Sequence, residues 1–299
     1  EICACRVGSE MCIRDRYYHT RWGESLFLSG DIDELGANEE NRAVMMDYQG
    51  DGLWKYTMEL PASAKKFHYE YLVKSGEGIR REWGSPHSFS PGRNAGKYRL
   101  VDRWRDVPAN LPFYSSAFIQ GIFFRQHADS VVETIEQGTF TVKVDAPQLR
   151  PDERLVMVGD CPELGDWDVL KAPLLNDSAF PEWQITLDGR QLKFPFEYKF
   201  VIVRTHQREV VAWETGENRI CREKPQNPSE AVVVSGLRFN GSESQWRGAG
   251  TAIPVFSLRT DYGFGIGEFI DLKYLVDWAL RTGPVSYTHL RAHETCADL

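Results

Sequence analysis

The chain has 299 residues, 42% of them hydrophobic, and a formal net charge of -8. That is room for two or three globular domains, and an acidic balance that excludes a nucleic-acid or anionic-membrane partner needing a basic face. No apolar run approaches the roughly 18 residues of a membrane span, and no h-region marks a secretory signal.

In chain order, residues 7–16 and 285–295 resemble translated sequencing-adapter sequence, so 1–16 and 284–299 are read as artefactual tails. His289, His293 and Cys296 have a zinc-like spacing but no fourth ligand, and no metal is predicted. Cys3, Cys5, Cys12 and Cys296 lie at the two ends, leaving Cys161 and Cys221 in the body. Two such thiols are no disulfide framework, and a reducing, cytoplasmic setting is the simpler expectation.

An internal repeat organises the rest. SLFLSGDIDELG at 25–36 aligns with RLVMVGDCPELG at 154–165, an offset of 129 residues. The same offset carries Trp54 onto Trp183 and FHYEY at 67–71 onto FEYKF at 196–200; one further residue of slippage carries Trp83 onto Trp213. Short runs rich in Val, Leu, Ile, Phe and Tyr between Gly, Pro and Asp predict strands, without helical periodicity. The expected fold is therefore mainly β, with two tandem immunoglobulin-like β-sandwich modules at 17–105 and 138–240. The aromatic connecting segment at 106–137 is too long for a solvated linker and is expected to pack on a module. Residues 241–250 read as a polar linker.

Within the second copy, Trp167 follows a Gly-Asp turn and Trp213 precedes a polar run, both near strand ends. A tryptophan there can present a flat apolar face to a pyranose ring, whose hydroxyls need charged or amide partners such as Lys199, Glu214 and Asn218. The segments GDCPELGDW, PEW, FEYKF and VAWETGENR, in that order, resemble the starch-binding carbohydrate-binding module of family 20. The resemblance implies a first sugar site of Trp167, Lys199, Trp213, Glu214 and Asn218. It also implies a second site in which Trp183 is matched, while Val156 stands where a tyrosine is expected. The first copy has Asn38 for the turn tryptophan and Glu70 for the lysine, with Gly84 after Trp83. Its platform reduces to Trp83, with Trp54 in the second-site position; packing is the stronger reading of both Trp54 and Trp183.

From 251 the pattern changes to a strand, a glycine-rich loop and a helical face of Phe269, Leu272, Leu275, Val276, Ala279 and Leu280. GFGIGE fails the dinucleotide fingerprint. The segment from GAGTAIPVFSLR to YGFGIGEFIDLKYLVDWA resembles the start of the glycoside hydrolase family 77 barrel, whose members are 4-α-glucanotransferases, some carrying two family 20 modules in front. Residues 251–283 are thus expected to be the first strand and helix of an incomplete (β/α)8 barrel. The resemblance implies a retaining mechanism with two carboxyls about 5 Å apart. Those carboxyls lie beyond 283, so no catalytic residue is assigned and the chain alone is expected to be inactive. No cofactor is implied, and the expected partners are α-glucans and maltooligosaccharides. The alternative is a non-catalytic glycogen-targeting or protein-interaction protein built on the same sandwiches.

Overall fold

Runs such as LWKYTMEL at Leu53–Leu60 and EWQITLD at Glu182–Asp188 turn every second side chain inward, and that period of two makes them strands. In the computed structural model, which describes residues 9–16, 18–60, 65–92, 96–123, 125, 134–241, 250–282 and 286–290, such runs build two β-sandwich modules. The first comprises β1 (Ser9–Arg16), β2 (Ser25–Gly30), β3 (Val44–Met45), β4 (Asp47–Gly50), β5 (Leu53–Leu60), β6 (Phe67–Ser75), β7 (Gly78–Arg81), β8 (His87–Phe89) and β9 (Lys97–Arg103). A connecting segment with the short helix α1 (Ser116–Gly121) follows, burying Ile119 in the second module's core. The second module comprises β10 (Thr139–Asp145), β11 (Glu153–Gly159), β12 (Asn176–Ala179), β13 (Glu182–Asp188), β14 (Phe196–Arg204), β15 (Val210–Trp213), β16 (Arg219–Cys221) and β17 (Ala231–Arg238).

The modules share one sheet. Its eight strands run β12-β13-β10-β17-β9-β1-β5-β4, so the two halves mirror one another across a parallel β17–β9 seam. Equivalent strands that pair in parallel with their neighbours in reversed order are related by a two-fold axis along the strands, which exchanges the two faces of the sheet. The side chains agree. Val232 and Val234 of β17 join Phe140, Trp183 and Phe200 in the second core. Ala231 and Val233 join Tyr98, Leu26 and Tyr71 in the first. The β2–β6 sheet therefore covers one face of the shared sheet and the β11–β14 sheet the other, and the outer faces of the two modules point in opposite directions.

Polar groups lock the seam. Asp102 of β9, fully buried, accepts hydrogen bonds from the hydroxyls of Tyr69, Tyr71 and Ser235, each at 2.7 Å. Ser235 belongs to the second module, as does Glu230, whose carboxylate lies 3.4 Å from Arg99 of β9. Nearby, Glu82 meets His87 and Arg105, each at 3.0 Å. Burial raises its pKa, but His87 and Arg105 outweigh that and hold the carboxyl down at about 2. Asp145 is pushed the other way, to about 7, by burial and by Glu182.

These shifts have opposite linkage. The Glu82 contribution is present above the usual carboxylate range and is lost as pH falls toward 2. The Asp145 contribution is present below the usual Asp range and is lost as pH rises through 7. Urea unfolding of Asp145→Asn and wild type at pH 4.5 and 7.5 is expected to show the variant gaining about 2–4 kcal/mol relative to wild type at the higher pH. A pH-independent difference would contradict this.

Two expectations about the ends meet a different geometry. Ser9–Arg16, read as a foreign tail, occupies the opening-strand position as β1, antiparallel to β5 and parallel to β9. The sheet needs backbone donors and acceptors at that place whatever the side chains. At the other end, β18 (Gly250–Pro254) and helix α2 (Leu272–Thr282) lead into β19 (Ser286–Leu290), which pairs with β18 in parallel, so this part of the tail is a strand. Glu268 and Asp271 form a capping box just before α2, with Glu268 N–H donating to Asp271 at 2.8 Å. Leu275 is buried, but Phe269 and Leu280 of the expected inward face are 70% and 77% exposed. The rest of both tails, most of the linker, and His293 and Cys296 lie outside the described residues.

A candidate sugar-binding face on the second module

The turn after β11 carries three successive residues in the left-handed region, Gly165, Asp166 and Trp167 at φ 81°, 50° and 64°. Trp167 N–H closes it on Gly159 O at 2.7 Å. The first module repeats the turn with Gly36, Ala37 and Asn38 at 87°, 52° and 63°, Asn38 N–H reaching Gly30 O at 2.7 Å. Asparagine tolerates this conformation, whereas a bulky aromatic there costs about 1–2 kcal/mol. The backbone does not ask for Trp167, and such an outlier points to a role for the side chain.

The Trp167 ring is half-buried against Val156, Val158, Ala172, Val201 and Val203, a small apolar cluster on the outer face of β11 and β14. Lys199 stands opposite Val158, and Trp213 opposite Val201. Directly opposed residues of antiparallel strands share a face, so Trp167, Lys199 and Trp213 lie on one surface. Trp213 is 42% exposed. Lys199 Nζ donates to the carbonyls of Gly216 at 2.6 Å and Glu214 at 3.2 Å, fixing the β15–β16 turn. One of its three donors is left for a ligand. Asn218 donates from Nδ2 to Glu197 Oε2 at 2.8 Å. Glu197 belongs to the same face; the sequence reading passed over it, although its place two residues before Lys199 on a strand was the signal.

Glu214 leaves the predicted set. It is 3% exposed, and its carboxylate accepts from Arg219 Nε at 3.0 Å, Phe200 N–H at 3.3 Å and Asn240 N–H at 3.2 Å. Arg219 Nη2 adds a fourth bond at 2.5 Å. Its acceptor capacity is spent inside the protein.

The same motif corrects the alignment of the two copies. Glu214 N–H donates to Phe200 O at 3.0 Å while Phe200 N–H donates back to the carboxylate. Glu82 and Tyr71 repeat this reciprocal pair, each bond 3.2 Å. Glu82 is thus the counterpart of Glu214. Arg81, opposite Leu72 as Trp213 is opposite Val201, stands at the platform position, and Trp83 falls two residues beyond it. Arg81 forms ion pairs with Glu70 and Glu40, so the first module presents a charged cluster in place of a platform.

Trp83 instead packs edge-on against Tyr114 of the connecting segment, centroids 4.9 Å apart, with the Arg238 guanidinium 5.6 Å from its ring. Trp183 and Trp54 are 0% and 5% exposed, their indole N–H groups donating to Ala146 O at 3.1 Å and Tyr18 O at 3.3 Å. Both are core residues and cannot stack a sugar. The Arg125 guanidinium of the connecting segment lies over the Trp183 ring, 5.1 Å from its centroid.

Residues 12–94 and 137–232 match the starch binding domain family. The chain belongs to that family. Its two starch binding domains coincide with the two sandwiches, β1 included from residue 12. The chain is also 31% identical over 292 residues to the 4-alpha-glucanotransferase DPE2 of Oryza sativa subsp. japonica, covering 89% of this chain and 30% of that protein. An AA13 family lytic polysaccharide monooxygenase A of Aspergillus terreus is 30% identical over 81 residues, 26% of this chain and 20% of that one. Among solved structures, the family 20 module of a maltotetraose-forming amylase from Pseudomonas saccharophila is 19% identical with a TM-score of 0.27, covering 32% of this chain and 99% of its own. The glucoamylase of Hypocrea jecorina is 19% identical with a TM-score of 0.31, covering 35% of this chain and 18% of its own.

Proposed function

We propose that this chain is the glucan-binding N-terminal region of a 4-α-glucanotransferase, and that the glucan lies on the outer face of the second starch binding domain. The observation that carries the reading is the placing of Trp167 and exposed Trp213 on one apolar cluster, with Lys199 and Asn218 beside them as polar partners. The enzyme part is supported by the 292-residue likeness to the rice glucanotransferase, which reaches into the β18–α2 unit. That unit leaves Phe269 and Leu280 uncovered, as the beginning of a larger parallel structure would. Asp271 caps the turn before α2 and accepts a hydrogen bond from Thr260 at 2.8 Å, so it serves the local fold. We place the protein in a reducing compartment, which suits buried Cys161 and Cys221 remaining free thiols.

Isothermal titration of the full chain with maltoheptaose tests the binding face. Trp213→Ala is expected to weaken binding by about 10- to 100-fold, in line with loss of a stacked aromatic worth roughly 1–3 kcal/mol. Arg81→Ala, the counterpart in the first module, is expected to bind like wild type. Equal affinities for Trp213→Ala and wild type would remove the face from consideration.

A further inference from the structure

Between the connecting segment and the end of the second module lies an open cleft of about 950 Å³, bounded by residues 108–114, 145–149 and 238–241. The connecting segment supplies one wall, so the cleft is not part of either sandwich by itself. Tyr114 lines the cleft, its ring fixed by the T-shaped contact with Trp83. Asn110, Gln148 and Asn240 contribute polar groups.

Two charged groups at the cleft have unmet hydrogen-bonding capacity. Arg238 Nε is buried without a partner, although Nη2 of the same guanidinium is held by Asp106 O. The Asp145 carboxyl makes no hydrogen bond among the described residues; Phe239 N–H is taken by its backbone carbonyl, at 2.9 Å. Leaving the buried Arg238 Nε unpaired costs about 1–3 kcal/mol, whereas Asp145 is half-buried and its carboxyl is open to a ligand at the cleft. An unpaired acceptor and an unpaired donor beside an aromatic ring are what a pyranose unit matches, since each hydroxyl both donates and accepts. A strut joins this cleft to the outer face: Thr215, two residues after Trp213, lines it and donates to Asn240 O at 3.0 Å.

We propose that this cleft is a second glucan-binding site, in which Asp145 and Arg238 bind sugar hydroxyls and Tyr114 carries the ring. The inference rests on the glucan-binding reading of the outer face and extends it around the rim at Thr215. The Asp145 carboxyl, pushed up to about 7, stays neutral below neutrality and then also donates a hydrogen bond. Glu182, Arg105, Arg238 and His87 are the charged and titratable groups acting on it.

The test uses the full chain carrying Trp213→Ala, titrated with maltoheptaose and followed by indole fluorescence, since Trp83 abuts Tyr114. Residual binding is expected, weakened at least tenfold by adding Asp145→Asn and abolished by the cleft-filling Gln148→Trp. Asp145→Asn is expected to be the more stable protein at neutral pH, so its loss of binding is not unfolding, and Gln148 is exposed. Complete loss of binding in Trp213→Ala alone, or residual binding untouched by both cleft variants, overturns the second site and leaves the outer face standing. Absence of binding by the wild-type chain overturns the outer-face reading itself, and the second site with it.

Discussion

Asp102→Ala is expected to destabilise the chain by about 3–5 kcal/mol and to separate the unfolding of the two modules. The carboxylate is fully buried and takes three hydroxyl donors at 2.7 Å: Tyr69 and Tyr71 from β6, and Ser235 from β17 of the second module. Removing it strands the Tyr69 and Tyr71 hydroxyls in the interior, at roughly 1–3 kcal/mol each before relaxation, while Ser235 keeps His87 Nδ1 at 3.3 Å; the quoted range is typical of breaking a buried charged network. The Tyr69 hydroxyl is held well above its usual pKa, by burial first and Asp102 next. Ser235→Ala removes a single donor and is expected to cost about 1 kcal/mol. Urea unfolding of the full chain, followed by both fluorescence and circular dichroism, checks the pair. Wild type should give coincident transitions and Asp102→Ala two that no longer coincide; a wild-type midpoint for Asp102→Ala would show that the seam does not depend on this carboxylate.

The seam was the feature least legible in the sequence. Parallel pairing of β9 with β17 joins residues more than 130 apart, as in Tyr98 with Ala231, and no local pattern announces a partner. A trace was nevertheless present. AVVVS at the start of β17 is apolar without alternation, the mark of a strand covered on both faces. Ala231 and Val233 do enter one core while Val232 and Val234 enter the other. The repeat, the β class and the grouping of Trp167, Lys199 and Trp213 were legible because they depend on strand alternation and conserved turn geometry within a module. The copy-to-copy register near the platform was not. The stretches between β6 and β7 and between β14 and β15 differ in length, so matching tryptophan to tryptophan put Trp83 where Arg81 belongs. The strand register and the reciprocal hydrogen bonds of Glu82 and Glu214 identify the true counterparts.

That motif leads to the other large effect. Glu214→Ala is expected to cost about 3–5 kcal/mol of stability, because it leaves the Arg219 guanidinium, 15% exposed, without its carboxylate and frees the N–H groups of Phe200 and Asn240. Glu82→Ala in the first module is expected to cost a similar amount, since His87 and Arg105 lose the same kind of partner there. The two readings of Glu214 divide cleanly in a binding experiment. A sugar ligand would lose affinity on substitution while the protein kept its unfolding midpoint. A structural carboxylate loses the midpoint, and the fraction still folded binds maltoheptaose within about twofold of wild type, because Trp167 keeps its place in the turn after β11 and Lys199 and Trp213 theirs on β14 and β15. Glu214→Gln sharpens the contrast: its amide oxygen can still accept from Phe200 N–H, but the ion pair with Arg219 is gone, and a stability loss of about half that of Ala is expected. Affinity falling tenfold in Glu214→Gln at an unchanged midpoint would return Glu214 to the sugar-binding set.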